Sequence, residues 1–379
     1  MNGILPSING KMVILGDTHF GVKKFSIDVL MDQLAFLNKE VYPYMEENNI
    51  KYIFQLGDLM DQRTTADINF IDTLKREFFE VLKEKGITLF SLVGNHDIYW
   101  RESREVTLVK FFRDLYPDNF ILYENRESFM FNNNEVYVVP WIVKGEELTY
   151  NEIKDKHSIL GHFEIRHFHL VKGHMDNTAK LTAEFFTENT EVRNVFSGHY
   201  HIKDTKGLVK YLGTPWQINW SDYEEDKGFY VWNEDDTLDF FENNTTKKFI
   251  KVKYNDNKNT DRNIEVSGLY SHSKLYTDKE YEELLPSIKK HEIKFFVNEA
   301  KDRHFDEVLY MMKEANIAST VIDNQKMSEI IGTNYIDDSE DLTDEDTRSL
   351  IINTVKDNKK ELIPLINEIL AEIDSTNIS

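Results

Sequence analysis

At 379 residues the chain has room for two or three domains, and 40% hydrophobic with 30% charged residues is the composition of a globular protein with a full core. Cysteine is absent, which excludes a disulfide framework and thiolate ligands, so any metal site must use His, Asp, Glu or Asn. A formal net charge of −22 argues against unaided binding of nucleic acid over most of the surface, although carboxylates gathered around bound cations would tolerate such a charge.

Residues 1–11 read as a loose extension, with Met12 as an alternative start. Met12-Val13-Ile14-Leu15 reads as the first strand, too short for a signal-peptide core or a membrane span, so the chain reads as cytoplasmic with no membrane association. It closes in Gly16-Asp17-Thr18-His19. Asp and His two apart at a strand end can point the same way and share an ion, although for this pair alone a solvated strand-to-turn junction is the better reading. Residues 25–47 carry Ile27, Leu30, Leu34, Leu37 and Val41 at helical spacing. Residues 52–56 read as the second strand, followed by Gly57-Asp58-Leu59-Met60-Asp61. Asp58 either caps the next helix or bridges two cations through its two oxygens. That helix spans 66–85 and stops at Gly86.

The next apolar run, Leu89 to Val93, ends abruptly in Gly94-Asn95-His96-Asp97. These are residue types that bind a metal, move a proton and orient the proton mover, placed where α/β folds build sites. A helix over 106–115 ends before Pro117. Residues 136–139 form a strand closed by Pro140-Trp141, and 157–160 lead into Gly161-His162. His162 is the candidate because it follows an apolar run and a glycine; His157, His167, His169 and His174 read as surface or core residues. Residues 192–197 end in Gly198-His199-Tyr200-His201, a two-ligand device. Residues 208–212 and 228–232 read as closing strands. Trp216 and Trp220, between them, read as packed loop aromatics rather than base-stacking platforms.

After residue 246 the pattern changes. Strands over 249–254, 293–297 and 320–322 and a helix over 304–315 suggest a small α/β accessory domain whose strands end in no metal-type motif. An acidic, polar linker covers 337–346, and apolar stripes over 349–355 and 362–373 mark helices that either pack back or dock on a partner helix. The boundaries fall at 12–246, 247–335, 336–348 and 349–373.

Five strand ends thus carry Asp17/His19, Asp58, Asn95/His96, His162 and His199/His201. Seven hard oxygen or imidazole donors, with one carboxylate shared, make two four-ligand shells suited to manganese, iron or zinc. The motif order Asp-X-His, Gly-Asp, Gly-Asn-His-Asp, Gly-His, Gly-His-X-His resembles the calcineurin-like metallophosphoesterase superfamily over residues 12–232. Within it, the helices after the first two motifs, the Tyr211-Leu212-Gly213-Thr214-Pro215-Trp216 segment and the accessory domain with its tail resemble SbcD-type nuclease subunits, in the tailed-phage recombination endonuclease branch.

The resemblance implies a four-layer α-β-β-α core with a small α/β capping domain and a C-terminal helical tail. It implies one metal held by Asp17, His19, Asp58 and His201, and another held by Asp58, Asn95, His162 and His199. It implies His96 as the catalytic histidine with Asp97 orienting it, two divalent ions, typically Mn2+, and cleavage of double-stranded DNA ends. The implied partners are an SbcC-type coiled-coil ATPase gripped by the C-terminal helices and a second copy of the chain, with helices 25–47 and 66–85 as the dimer interface. One departure stands out: cellular members place a His three residues after the second-motif Asp, where this chain has Asp61. The same chemistry also serves small phosphate esters, so a general metallophosphatase is the alternative, and a non-catalytic scaffold for an ATPase a further one.

Overall fold

The computed structural model describes residues 7–188, 190–255, 263–269, 273–297, 303–315, 317 and 319–323. The linker at 336–348 and the helical segment at 349–373 lie outside the described residues.

Two sheets stack to form the core. In the first, Met12–Leu15, Tyr52–Gln55, Thr88–Leu92 and Phe120–Tyr123 run parallel in that order, and Gly228–Trp232 and Leu238–Glu242 add antiparallel strands beyond Met12–Leu15. In the second, Asn134–Val139, Ser158–His162, Asn194–Gly198 and Val209–Tyr211 run parallel, with antiparallel neighbours Glu127–Phe131 and Asp204–Lys206. Side chains alternate across a pleated strand, so each strand feeds two layers. Ile14, Phe54, Phe90, Val138, Leu160 and Phe196 fill the space between the sheets. Val13, Leu15, Ile53 and Leu89 point the other way, onto Leu30, Leu34, Phe70, Leu74 and Phe78 of the two long helices. The outer face of the second sheet is covered more thinly, by Tyr150–Ile153, Ala183–Thr187 and the loops around them. The result is the four-layer α-β-β-α core that the motif order implies.

Both long helices form where the apolar spacing places them. Ser26 and Asp67 cap their first turns by accepting from the Val29 and Phe70 N–H groups. Each contains one wide turn, at Leu37–Val41 and Lys75–Phe79. In the first case Pro43 follows at once and cannot donate to the preceding turn, a conflict that a widened turn absorbs.

Several readings need correction. Residues 7–11 are not a loose extension: Ser7–Ile8 pair in parallel with Met130 and Phe131, and Gly10 exchanges two hydrogen bonds with Asn132. A hairpin of Ile98–Trp100 and Ser103–Thr107 follows the Gly-Asn-His-Asp motif, so the next helix begins at Leu108, capped by Thr107. Phe120–Tyr123, Glu127–Phe131 and the helix Asp278–Ile288 were not anticipated; Pro286 hides the last, although Thr277 and Glu280 form a capping box at its start.

Beyond residue 248 a separate sheet is ordered Lys274–Tyr276, Asn263–Ser267, Phe249–Asn255, Glu292–Val297, Ser319–Asp323, with its own core of Ile250, Val252, Ile264, Tyr281, Phe295, Val308 and Met312. It is tied to the two-sheet core by Phe249 N–H donating to Gln217, Lys247 N–H donating to Asp32, and Tyr223 donating to Ser267. No helix among the described residues is long and apolar enough to cross a membrane.

At this junction His291 Nδ1 accepts from Lys248 N–H at 2.8 Å. Burial, with Lys290, Lys248 and Lys247 nearby, pulls His291 down to about 4. In the unfolded chain it takes its proton near 6.5, so between pH 6.5 and 4 the unfolded state binds more protons and stability falls as pH falls. His291→Asn, which keeps an acceptor, should reduce this acid loss by about 2 kcal/mol, read from urea denaturation at pH 7 and pH 4.5.

Candidate dimetal active site

All seven predicted ligands converge where the strands of both sheets end. Asp17, His19, Asp58 and Asn95 come from the first sheet, and His162, His199 and His201 from the second. Such convergence needs backbone in close contact, which explains the glycines. A Cβ on Gly94 would lie 2.2 Å from Asp58 Oδ1, one on Gly198 2.2 Å from Asp17 Oδ1, and one on Gly16 1.7 Å from the Gly213 carbonyl. It also needs strained backbone: His19, Asp58 and His199 have φ of 44°, 52° and 90°, the left-handed region that side chains disfavour. Backbone bonds hold these turns, with His19 and Phe20 N–H donating to the Asp58 and Leu59 carbonyls. Gln55, a buried polar residue in an apolar strand, bonds Gly16, Gly57 and Ser91 and so locks three strand ends together.

Six of the donors fall into two groups, Asp17/His19/His201 and Asp58/His162/His199, within each of which one atom per residue lies within 4.8 Å of the others; His19, Asp61 and His96 form a third such group beside them. Asp58 links them. Its Oδ2 lies 3.2 Å from His162 Nε2 and 3.8 Å from His19 Nε2, while Oδ1 accepts from His96 N–H at 2.7 Å. One carboxylate oxygen thus faces both groups, while the other is engaged by backbone.

The rings of His162 and His19 each have one nitrogen engaged and the other facing inward. His162 Nδ1 donates to the Leu56 carbonyl, leaving Nε2 inward; His19 Nδ1 bonds Asp61 at 3.1 Å, leaving Nε2 3.1 Å from Nε2 of His201. His199 has Glu164 3.6 Å from Nε2, and its Nδ1 faces Asn95. Asn95 Oδ1 lies 2.9 Å from both His162 Nε2 and His199 Nδ1. Turned over, the amide donates to both rings and to Asp58 Oδ2 and accepts from Arg63. Asp17 Oδ2 accepts from His199 N–H, while Oδ1 is buried with no hydrogen-bond partner. Hard donors, fixed rings and an orphaned carboxylate oxygen fit two divalent ions.

The electrostatics agree. Burial, with the Asp58 charge beside it, lifts Asp17 to about 7 against the pull of His162. His19 and His162, which burial alone would keep neutral, rise to about 9 through neighbouring carboxylates, Asp61 foremost for His19 and Asp58 for His162. Asp58, despite burial, stays well below its ordinary range because of His162 and His96. This cluster concentrates negative charge that protons or cations must balance.

His96 stands at the rim of the cluster, its ring centroid 4.8 Å from that of His19. Its Nε2 is buried and unpartnered, and Nδ1 lies 2.8 Å from the Asp61 carbonyl. The direct Asp97–His96 pair read from the sequence is not what forms. Asp97 turns away and accepts from Met60 and Gly94 N–H, bracing the two turns that carry Asp58 and Asn95. Without a carboxylate partner at Nδ1, burial pulls His96 below its ordinary value. Asp61 instead serves two rings, His19 through its carboxylate and His96 through its carbonyl. Lys227 is a residue the sequence reading missed. It is buried, donates to the His201 carbonyl at 2.7 Å, and pairs with buried Asp222 at 2.6 Å. Trp216 is packed, donating to the Thr18 carbonyl, and the four other histidines named above lie outside the two groups.

Asp61→Ala should weaken Mn2+ binding about 10–100-fold by freeing the His19 ring, with Asp61→Asn losing less; calorimetric titration measures this. Gly94→Ala should abolish binding of at least one ion, because its Cβ displaces Asp58, while circular dichroism stays that of the folded protein.

A sequence model of calcineurin-like phosphoesterases matches residues 10–203. Exonuclease subunit 1 of Enterobacteria phage T4 is 29% identical over 240 residues, which cover 62% of this chain and 68% of that protein. The family match covers just over half of the chain and contains all seven converging donors: the chain belongs to the calcineurin-like phosphoesterase family and is a hydrolase of phosphate esters.

Proposed function

We propose that this chain is the nuclease subunit of an SbcC/SbcD-type complex, a Mn2+-dependent phosphodiesterase that processes double-stranded DNA ends in recombination and repair in the cytoplasm of a phage-infected cell. The observation that carries the reading is the pair of donor groups sharing Asp58 Oδ2, with the unpartnered His96 Nε2 beside them. Similarity to a phage exonuclease subunit supports DNA as the substrate and a multi-subunit setting.

Asp17, His19, Asp58 and His201 would hold one ion, and Asp58, Asn95, His162 and His199 the other. When bound, the ions supply a water nucleophile at neutral pH and neutralise charge on the phosphoryl oxygens. The protein's own residues do the rest. Asp61 and Leu56 fix the orientations of the His19 and His162 rings, so these donors need not reorganise. His96, held through Nδ1, presents Nε2 to the leaving oxygen and delivers a proton taken up with the anionic substrate. Asp97 is a positioning residue for the turns, not a partner in proton transfer.

The acidic surface fits a chain that relies on its ATPase partner for much of the DNA contact, with the 349–373 segment as the docking element. A second copy would meet the outer faces of the two long helices, where Met31 is 44% and Ile68 87% exposed.

Cleavage of a linear duplex with Mn2+ tests the reading. His96→Ala should keep both ions and lose about 100-fold or more in rate. Wild-type protein that hydrolyses bis-para-nitrophenyl phosphate but leaves DNA intact even with the ATPase added would favour a small-ester phosphodiesterase.

A further inference from the structure

Beside the His162–His199 group the protein has an open cleft of about 450 Å³ that no residue role assigned above explains. We propose that it holds the deoxynucleoside flanking the scissile phosphate and grips the base by shape and stacking, without reading its identity; this rests on the nuclease reading.

Three observations carry it. The first is continuity. His162 forms one end of the cleft, and Trp141 lines it with a ring 5.0 Å from that of His199 and 5.9 Å from that of His162. A phosphodiester held at the ions thus has one of its two nucleosides at the entrance. The second is wall chemistry. Trp141, Val143, Leu148, Phe163 and Leu181 form the apolar part of a mixed lining, and its volume is that of sites for small organic ligands, about 300–1,000 Å³. The third is where the polar groups go. The Thr178 hydroxyl donates to Asp176, and Glu164 faces His199, so both are engaged within the protein. A bare anion would need converging donors. A flat aromatic ring needs an apolar slot, and stacking on one is tolerant of base identity. The exposed wall carries Lys144 and Lys180 against Glu147 and Glu164, with Lys144 near Glu102, so its charges balance and the base, not the backbone phosphate, is what the cleft holds.

The test is calorimetric binding of thymidine 5′-monophosphate, 2′-deoxyadenosine 5′-monophosphate and 2-deoxyribose 5-phosphate to the full chain with Mn2+. Both nucleotides should bind at least about tenfold more tightly than the sugar phosphate and within about threefold of each other. Ile142→Trp, which fills the cleft, should bring that ratio close to one. Lys180→Trp, at an exposed lining position, does the same with little risk to folding; Mn2+ titration of each variant reports that the ion sites are intact. Equal binding of nucleotide and sugar phosphate, or a ratio that neither substitution changes, would overturn the proposal. Duplex cleavage is read on the same preparation. Cleavage with equal binding of nucleotide and sugar phosphate removes the cleft and leaves the nuclease; tighter binding of both nucleotides without cleavage, ATPase included, keeps the cleft and removes the nuclease.

Discussion

One buried carboxylate sets the terms for the rest of the site. Asp58 sits in a left-handed turn, gives its carbonyl to His19, accepts from His96 N–H with one oxygen, and turns the other toward both donor groups. A side chain with this many obligations cannot relax into solvent, and burial without compensation would cost several kcal/mol. The surroundings supply the compensation through two imidazoles raised toward the protonated form and a backbone donor. The neighbouring glycines follow from the same demand, since any Cβ at Gly94 would occupy the space the carboxylate needs.

Much of this was legible in the sequence. Apolar runs ending in Gly-Asp, Gly-Asn-His or Gly-His announce strand ends with chemistry on them, because a strand has a short period and a definite end. The long helices were equally readable from Leu30, Leu34, Leu74 and Phe78. The edge strand Ser7–Ile8 was not: two residues carry no periodicity, and its pairing partner lies more than a hundred residues away. The strand Phe120–Tyr123 escaped for a similar reason, being short and close behind Pro117.

What stayed hidden at the site was the supporting layer. Asp61 and Asp97 are both acidic residues close to a motif, and spacing alone favours the one adjacent to His96. The fold reverses the choice, because consecutive residues at a turn point in different directions, and Asp97 finds two N–H groups across the gap before it can reach the ring. Gln55 had a faint signal as the polar residue in a buried strand. Lys227 and Asp222 had none, since they look like surface residues until the loop folds them under His201.

The donors divide between the sheets, four on the first and three on the second, and the chain has no cysteine to tie those sheets covalently. An ion held among them would act as a rivet through the sandwich. Binding energy then becomes cohesion between the layers, and a chelator loosens the same packing that Phe54, Phe90 and Phe196 maintain from within. Affinity for the ion is accordingly a ruler for the spacing of the two sheets, and a substitution deep in the aromatic core, touching no ligand, changes the grip on the metal by changing how far apart the two halves of its cage stand.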